Sequence, residues 1–171
     1  MRFLSTTLAL TALLTPTLAE SNLFTSLSKV TDLLKATDES VTSWPGTIST
    51  APELLQRAES MVGGLHESLD VFKKAATLTS EDTKLLTDEL AKAALQSRKL
   101  ADNLVASKEK FAQIPLGQDI AAMLVKDVAD RVLEYKAAIE EKIPVINQRL
   151  SDSLEIAMSS LEDATSSFQK Q

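Results

Sequence analysis

One uninterrupted segment of the sequence, residues 80–114, constrains the fold more than any other. It contains neither glycine nor proline, and a helix of that length would extend about 50 Å. Apolar residues recur along it at helical spacing, and charged residues, Glu89 among them, occupy the other side. The apolar stripe consists of Leu86, Leu90, Ala93, Leu100, Leu104 and Phe111. A helix with one apolar side must bury that side against other helices, so this segment predicts a helical bundle.

Four further amphipathic segments supply the surfaces that this helix needs. The spacing of apolar residues predicts helices over residues 21–43, from Pro52 to about Ala76, over 118–142, and from Pro144 to about Phe168. Aromatic residues make up only 4% of the chain, so the core must be built from aliphatic side chains. The predicted fold class is all-α: an antiparallel bundle of about five amphipathic helices, because all the connections are short.

Local sequence signals set the expected ends of these helices. Ser21 or Asn22 is the predicted N-cap of the first helix. Pro45 ends that helix, because proline disfavours the helical conformation in the residue before it. Thr79 begins a capping box that precedes the long helix. The breaks therefore agree with the helices that the apolar spacing predicts.

Residues 1–19 have the features of a secretory signal peptide. Arg2 supplies the positive charge, residues 8–14 supply the apolar stretch, and Thr17 to Ala19 fit a cleavage site. A short membrane anchor is the less favoured alternative, because the apolar stretch is too short to span a bilayer. No second apolar segment follows, so no transmembrane segment is predicted. We expect cleavage after Ala19 and a single helical-bundle domain over residues 20–171.

Composition argues against several classes of function. The formal net charge of −6 argues against nucleic-acid binding, which needs a basic surface. The chain contains no cysteine and only one histidine, His66, which we interpret as a surface or boundary residue. We therefore predict no catalytic residues, no metal site and no cofactor. Glu140, Glu141 and Asp152 are interpreted as solvated carboxylates, and chemistry on paired carboxylates stays open as the weakest alternative.

Four segments give the mature chain a resemblance to a known family. In order along the chain they read LLKATDESVTSWPG, LLQRAESMVGGLHESLDVFKKAATLTSED, LADNLVASKEKFAQIP and EKIPVINQRL. Together with the signal peptide, they resemble the fungal hydrophobic surface binding protein A family, also called the cell wall galactomannoprotein family. The resemblance covers roughly Phe24 to Phe168.

This resemblance implies a secreted or cell-wall-associated fungal protein with a bundle of about five helices. Some members adsorb to hydrophobic solid surfaces and recruit a polyester-degrading hydrolase. Others hold fatty acids in an apolar tunnel between helices and act as surface antigens and virulence factors. Many carry a Ser/Thr-rich tail or a lipid-anchor signal. This chain shows neither, which favours a freely secreted form.

Three hypotheses for function follow from the residues and the resemblance. The first is a module that binds fatty acids or other apolar ligands in a cavity, with Gly63 and Gly64 beside it because side-chain volume is missing there. The predicted lining is Val62, Gly63, Gly64, Leu65, Leu69, Leu90, Leu104, Val128, Val132, Leu150 and Leu154. From spacing alone, a filled core and a kink at the glycines are the stronger interpretations.

The second hypothesis is a protein that opens its bundle and spreads its amphipathic helices on hydrophobic surfaces. A cell-wall structural or antigenic mannoprotein that recruits a partner hydrolase is the related alternative. A bundle that stays closed is a simpler interpretation than a bundle that opens. The third hypothesis, an enzyme, is disfavoured because the usual catalytic residues are missing. Titration with fatty acids separates the first hypothesis from the second.

Overall fold

Six helices make up the described part of the chain, and no strand occurs in it. The computed structural model describes residues 15–75, 78, 80–143 and 146–169. The helices are α1 (Thr15–Ser43), α2 (Ala51–Lys74), α3 (Ser80–Ala106), α4 (Lys108–Ala112), α5 (Gly117–Lys142) and α6 (Gln148–Gln169). The prediction of an all-α fold with about five long helices is confirmed.

The five long helices close into a ring around one hydrophobic core. Going round the ring, α1 packs against α3, α3 against α6, α6 against α5, α5 against α2, and α2 against α1. Successive helices are not always neighbours, since α2 and α3 lie on opposite sides of α1. Each interface between neighbouring helices of the ring is called a seam here. The seam between α2 and α5 is the most thinly packed of the five seams. Apolar residues from every long helix meet in the interior.

Helix α1 extends further toward the N-terminus than predicted. It begins at Thr15, so Ser21 and Asn22 lie inside the helix and neither is its N-cap. Pro16 lies in the first turn, where a missing N–H breaks no helical hydrogen bond. The helix ends at Ser43, directly before the Trp-Pro-Gly sequence, as predicted.

Several predictions concern residues outside the described part of the chain. Residues 1–14 of the signal peptide belong to this group, so cleavage after Ala19 stays a prediction. The same holds for Ala76 at the end of the second helix, Thr79 of the capping box, and Pro144.

The predicted helix over residues 80–114 is wrong in one respect, because it is interrupted at Ser107. The ψ angle of Ser107 is 5°, far from the helical value of about −42°. The chain then forms α4, which places the Phe111 ring 4.8 Å from Trp44 and 6.3 Å from Phe168, centroid to centroid. Packing of these three rings stabilises the interruption at Ser107, so the long helix stops at a point without glycine or proline.

Helix α3 also buries more of its surface than one stripe. It lies between α1 and α6, and polar residues such as Thr87 and Ser97 are buried along with its apolar ones. Glu89, predicted on the charged side, is only 8% exposed and accepts a hydrogen bond from Lys92. A helix with neighbours on two sides keeps a narrower exposed face than its sequence pattern indicates.

Helix α6 starts later than the predicted start at Pro144. Its first residue is Gln148, and the side-chain oxygen of Asn147 accepts a hydrogen bond from the Leu150 backbone N–H at 2.9 Å. Asn147 is therefore the N-cap, a role that asparagine favours. The apolar spacing predicts seven inward residues for this helix, and Ile146, which precedes α6, is only partly buried. The other six are buried, namely Leu150, Leu154, Ala157, Leu161, Ala164 and Phe168.

Candidate functional site

A small cavity lies on the axis of the ring and receives side chains from all five long helices. Its volume is about 30 Å³. The lining consists of Leu27, Val30 and Leu34 of α1, Leu65 of α2, Leu90, Ala93, Ala94 and Ser97 of α3, Val132, Tyr135 and Ile139 of α5, and Leu154 of α6. Because each helix turns an apolar side inward, the axis of the ring is the place where all those sides meet.

The lining carries no charged side chain and only two polar ones. Ser97 is one, and its hydroxyl donates to the Ala93 carbonyl oxygen at 3.0 Å within the same helix. Tyr135 is the other. An interior of this kind suits an apolar molecule and offers no group that would neutralise a charge.

The Tyr135 hydroxyl is buried without a hydrogen-bond partner among the described residues, and so is the Ser68 hydroxyl. The two side chains lie close together across the seam between α5 and α2. Burial raises the pKa of Tyr135, and the nearby Ser68 hydroxyl opposes part of that effect. The tyrosine ring is held edge-on to Phe72, with the ring centroids 6.1 Å apart.

Polar contacts at the surface hold the thin seam between α2 and α5. The Lys73 ammonium lies 3.0 Å from the Glu134 carboxylate, and both side chains are exposed. Arg131 also donates to Glu134, at 2.6 Å. Beyond the end of α2, Lys142 donates to the Ala75 carbonyl oxygen at 2.8 Å. Exposed ion pairs contribute little to stability, so these surface contacts add little to the thin packing of this seam.

Some of the predicted lining residues line the cavity in the structure, and the others lie outside the lining. Four of them line the cavity: Leu65, Leu90, Val132 and Leu154. Four others are buried elsewhere in the core, namely Leu69, Leu104, Val128 and Leu150. Val62 is partly buried and packs against the core. The role of these residues in lipid binding stays a prediction.

The glycine pair lies outside the cavity lining. Helix α2 runs through Gly63 and Gly64 without interruption. Gly63 is exposed, and a Cβ atom there would meet nothing within 4 Å. Gly64 is buried, and its Cβ would lie 2.3 Å from the Leu33 Cδ1 atom of α1. The missing side chain at Gly64 therefore admits Leu33 of the neighbouring helix.

No residue of α1 belongs to the predicted lining, although the apolar spacing places Leu27, Val30 and Leu34 on the inward side of that helix. The same spacing places Tyr135 on the inward side of α5, outside the predicted lining. The apolar spacing shows which side of each helix is buried, but it does not show the order of helices around the ring. That order brings the three α1 residues and Tyr135 to the axis.

The residues considered for chemistry lie apart from this interior. His66, Glu140, Glu141 and Asp152 are exposed. Within the described ranges, no group of three or more His, Cys, Asp or Glu side chains could hold a metal ion. None of the described helices is long and apolar enough to cross a membrane.

Comparison with known proteins places this fold in a family. The fold is similar to that of AfMp4p, an Aspergillus mannoprotein whose crystal structure contains palmitic acid. The two chains share 10% sequence identity with a TM-score of 0.79, and the match covers 88% of this chain and 99% of that one. No curated protein matches the chain at a significant level. A family model for hydrophobic surface binding protein A matches residues 21–141, which is more than half of the sequence, and the chain therefore belongs to that family.

Proposed function

We propose that this protein binds a fatty acid or a similar apolar lipid along the axis of its five-helix ring. The observation that carries the proposal is the cavity to which all five long helices contribute, lined almost entirely by aliphatic side chains. Membership of the hydrophobic surface binding family supports a role in binding apolar material. The palmitic acid in the AfMp4p structure supports a lipid as the ligand. The protein acts as a binding protein and not as an enzyme.

The size of the cavity requires the ring to widen when a lipid enters. Its volume of about 30 Å³ leaves room for only about one or two water molecules. Pockets for organic ligands commonly measure roughly 300–1,000 Å³. No disulfide opposes widening, since the chain contains no cysteine. The seam between α2 and α5 is the place to open, because it is the most thinly packed.

Titration of the delipidated protein with palmitic acid tests this proposal. We expect saturable binding of one or a few molecules, and native mass spectrometry of the protein secreted by its own host should show a mass of fatty-acid size. A variant with two introduced cysteines facing each other across α2 and α5 should lose uptake when oxidised and regain it when reduced. The matched control places the cysteine pair across α1 and α2. Failure of the reduced protein to bind would contradict the proposal.

Adsorption to hydrophobic surfaces is the second candidate, favoured by the family description and by the absence of cross-links. Opening the ring would expose apolar surface, which water penalises by about 25 cal/mol per Å². A hydrophobic solid removes the same area from water and so offsets much of that free energy. A disulfide between α3 and α6 should block adsorption while leaving the α2–α5 seam free for lipid uptake. Equal adsorption of the oxidised and reduced forms would contradict opening.

Secretion and the surroundings of the protein belong to the same proposal. The predicted signal peptide supports an extracellular protein, either free or associated with the cell wall. The family resemblance implies a secreted hydrolase as a partner, which this protein would recruit to apolar substrates. Co-sedimentation of a candidate hydrolase with polymer particles, with and without this protein, tests that recruitment.

A further inference from the structure

Two buried hydroxyl groups without partners distinguish one side of the interior from the rest. The Tyr135 side chain is 6% exposed and the Ser68 side chain 1% exposed. Neither hydroxyl has a hydrogen-bond partner among the described residues. A buried polar group that is left unpaired destabilises the folded state, and most such groups in proteins are paired. The two hydroxyls interact with each other without reaching the distance and angle of a hydrogen bond, so a third group between them would complete their hydrogen bonds.

We propose that Tyr135 and Ser68 hold the oxygen-bearing end of the bound lipid. This inference rests on the proposed function. Tyr135 lines the cavity from α5, and Ser68 of α2 lies outside the lining, beside the Tyr135 hydroxyl. An oxygen atom between α5 and α2 would accept a hydrogen bond from each hydroxyl. The hydrocarbon chain would then extend along the axis among the aliphatic residues of the lining.

The lining also determines the charge of the group that is held. No charged side chain lines the cavity. Lys73, a cation at the seam between α2 and α5, is exposed and already paired with Glu134. An ionised carboxylate would lose its hydration without gaining a counter-charge, which is strongly unfavourable. The ligand is therefore held with an uncharged head, either a protonated carboxylic acid or an alcohol.

A buried hydroxyl outside the cavity provides a matched control. Ser153 of α6 is 5% exposed and does not line the cavity, and its hydroxyl already donates to the Arg149 carbonyl oxygen at 2.8 Å. Ser153→Ala therefore removes a hydroxyl that is not available to a ligand. Tyr135→Phe and Ser68→Ala remove the available ones and preserve the apolar surface of the interior.

The experiment measures the binding of palmitic acid, 1-hexadecanol and hexadecane, each delivered from a cyclodextrin carrier, to the intact wild-type protein and the three variants. Tyr135→Phe should weaken binding of the acid and the alcohol by about three- to tenfold, the effect of one lost hydrogen bond. Binding of hexadecane should not change. The ligand-free Tyr135→Phe protein should melt at a higher temperature than the wild type, because an unpaired buried hydroxyl has been removed. Ser68→Ala should act in the same direction, and Ser153→Ala should not change the affinity for any of the three compounds.

Each alternative explanation predicts a different pattern of binding of the three compounds to the wild type and its variants. Absence of binding of all three compounds to the wild type would refute the proposed function itself. Wild-type binding that Tyr135→Phe and Ser68→Ala leave unchanged would refute the anchor alone. Equal loss of all three compounds with a lower melting temperature would assign the hydroxyls a structural role and refute the anchor. A loss for palmitic acid without a loss for 1-hexadecanol would refute the uncharged head.

Discussion

Lys99 of α3 places its ammonium group 2.9 Å from the carboxylate of Asp38 on α1, a side chain that is 1% exposed. Asn103, one turn further along α3, donates a hydrogen bond to the other carboxylate oxygen at 2.5 Å. The hydrogen bond to Asp38 raises the pKa of Lys99. The seam between α1 and α3 is therefore fixed by a buried charge with partners on the facing helix.

Asp38→Asn should destabilise the protein by about 1–3 kcal/mol, because the amide loses the charge-assisted hydrogen bonds and leaves buried partners poorly matched. The midpoint of urea unfolding measures this change. Glu39→Gln is the matched control, since the neighbouring Glu39 carboxylate is exposed and lies 3.9 Å from Lys35. Exposed pairs of that kind contribute at most about 1 kcal/mol. Equal midpoints for the two variants would show that the buried carboxylate does not fix the seam.

Gly63→Ala should stabilise the protein by about 0.5–1 kcal/mol, because glycine inside a helix loses more backbone entropy on folding than alanine does. The position is exposed and the added Cβ meets no other atom within 4 Å. Gly64→Ala should gain less or lose stability, because its Cβ would force the Leu33 side chain to move. Thermal unfolding of the two variants checks the difference. A gain of the same size at both positions would show that Leu33 adjusts freely.

Tyr135 should resist ionisation in the folded protein, since burial raises its pKa above the ordinary value of 10.0. The folded state then holds this proton more tightly than the unfolded state does. The associated stability is fully present below pH 10.0 and is lost as the pH rises above that value. Tyr135 is the only tyrosine, so tyrosinate absorbance in native and urea-unfolded protein reports on this group alone. Ionisation near the ordinary pH without unfolding would show that the hydroxyl reaches solvent.

Val30→Ile should raise stability by about 0.8 kcal/mol and weaken binding of palmitic acid. Val30 lines the cavity, and the added methylene enters space that is empty in the wild type. Val41→Ile provides the comparison, because Val41 is fully buried and lies outside the lining. Overpacking there should cost about 1–3 kcal/mol. Urea unfolding and lipid titration test the pair, and a destabilised Val30→Ile protein would show that the cavity does not accommodate the methylene.

Periodicity predicted the parts of this fold that depend on one helix at a time. The helix expected over residues 118–142 is α5 almost to the residue, and Val125, Val128 and Ile139 are buried as its spacing indicates. His66 is exposed, as expected. These properties follow from whether each residue points toward a core, which the sequence pattern records directly.

Features that depend on the meeting of two helices were not predictable in this way. The interruption at Ser107 accompanies aromatic contacts between three separate segments. The burial of Asp38 depends on Lys99 and Asn103, which the chain supplies more than sixty residues later. The cavity includes α1 because of the order of helices around the ring. No local pattern in the sequence records that order.

The order of helices in the ring also matters while each molecule is being synthesised. Among the described helices, α6 is the last to be synthesised, and it packs between α3 and α5. Without α6, the ring would have a gap along its length and its apolar interior would face the surroundings. A lipid that joined such a chain would displace water and would need no separation of packed helices. The proposed lipid would have to force helices apart once α6 is in place, so a chain that still lacks α6 would take it up more easily than the finished one.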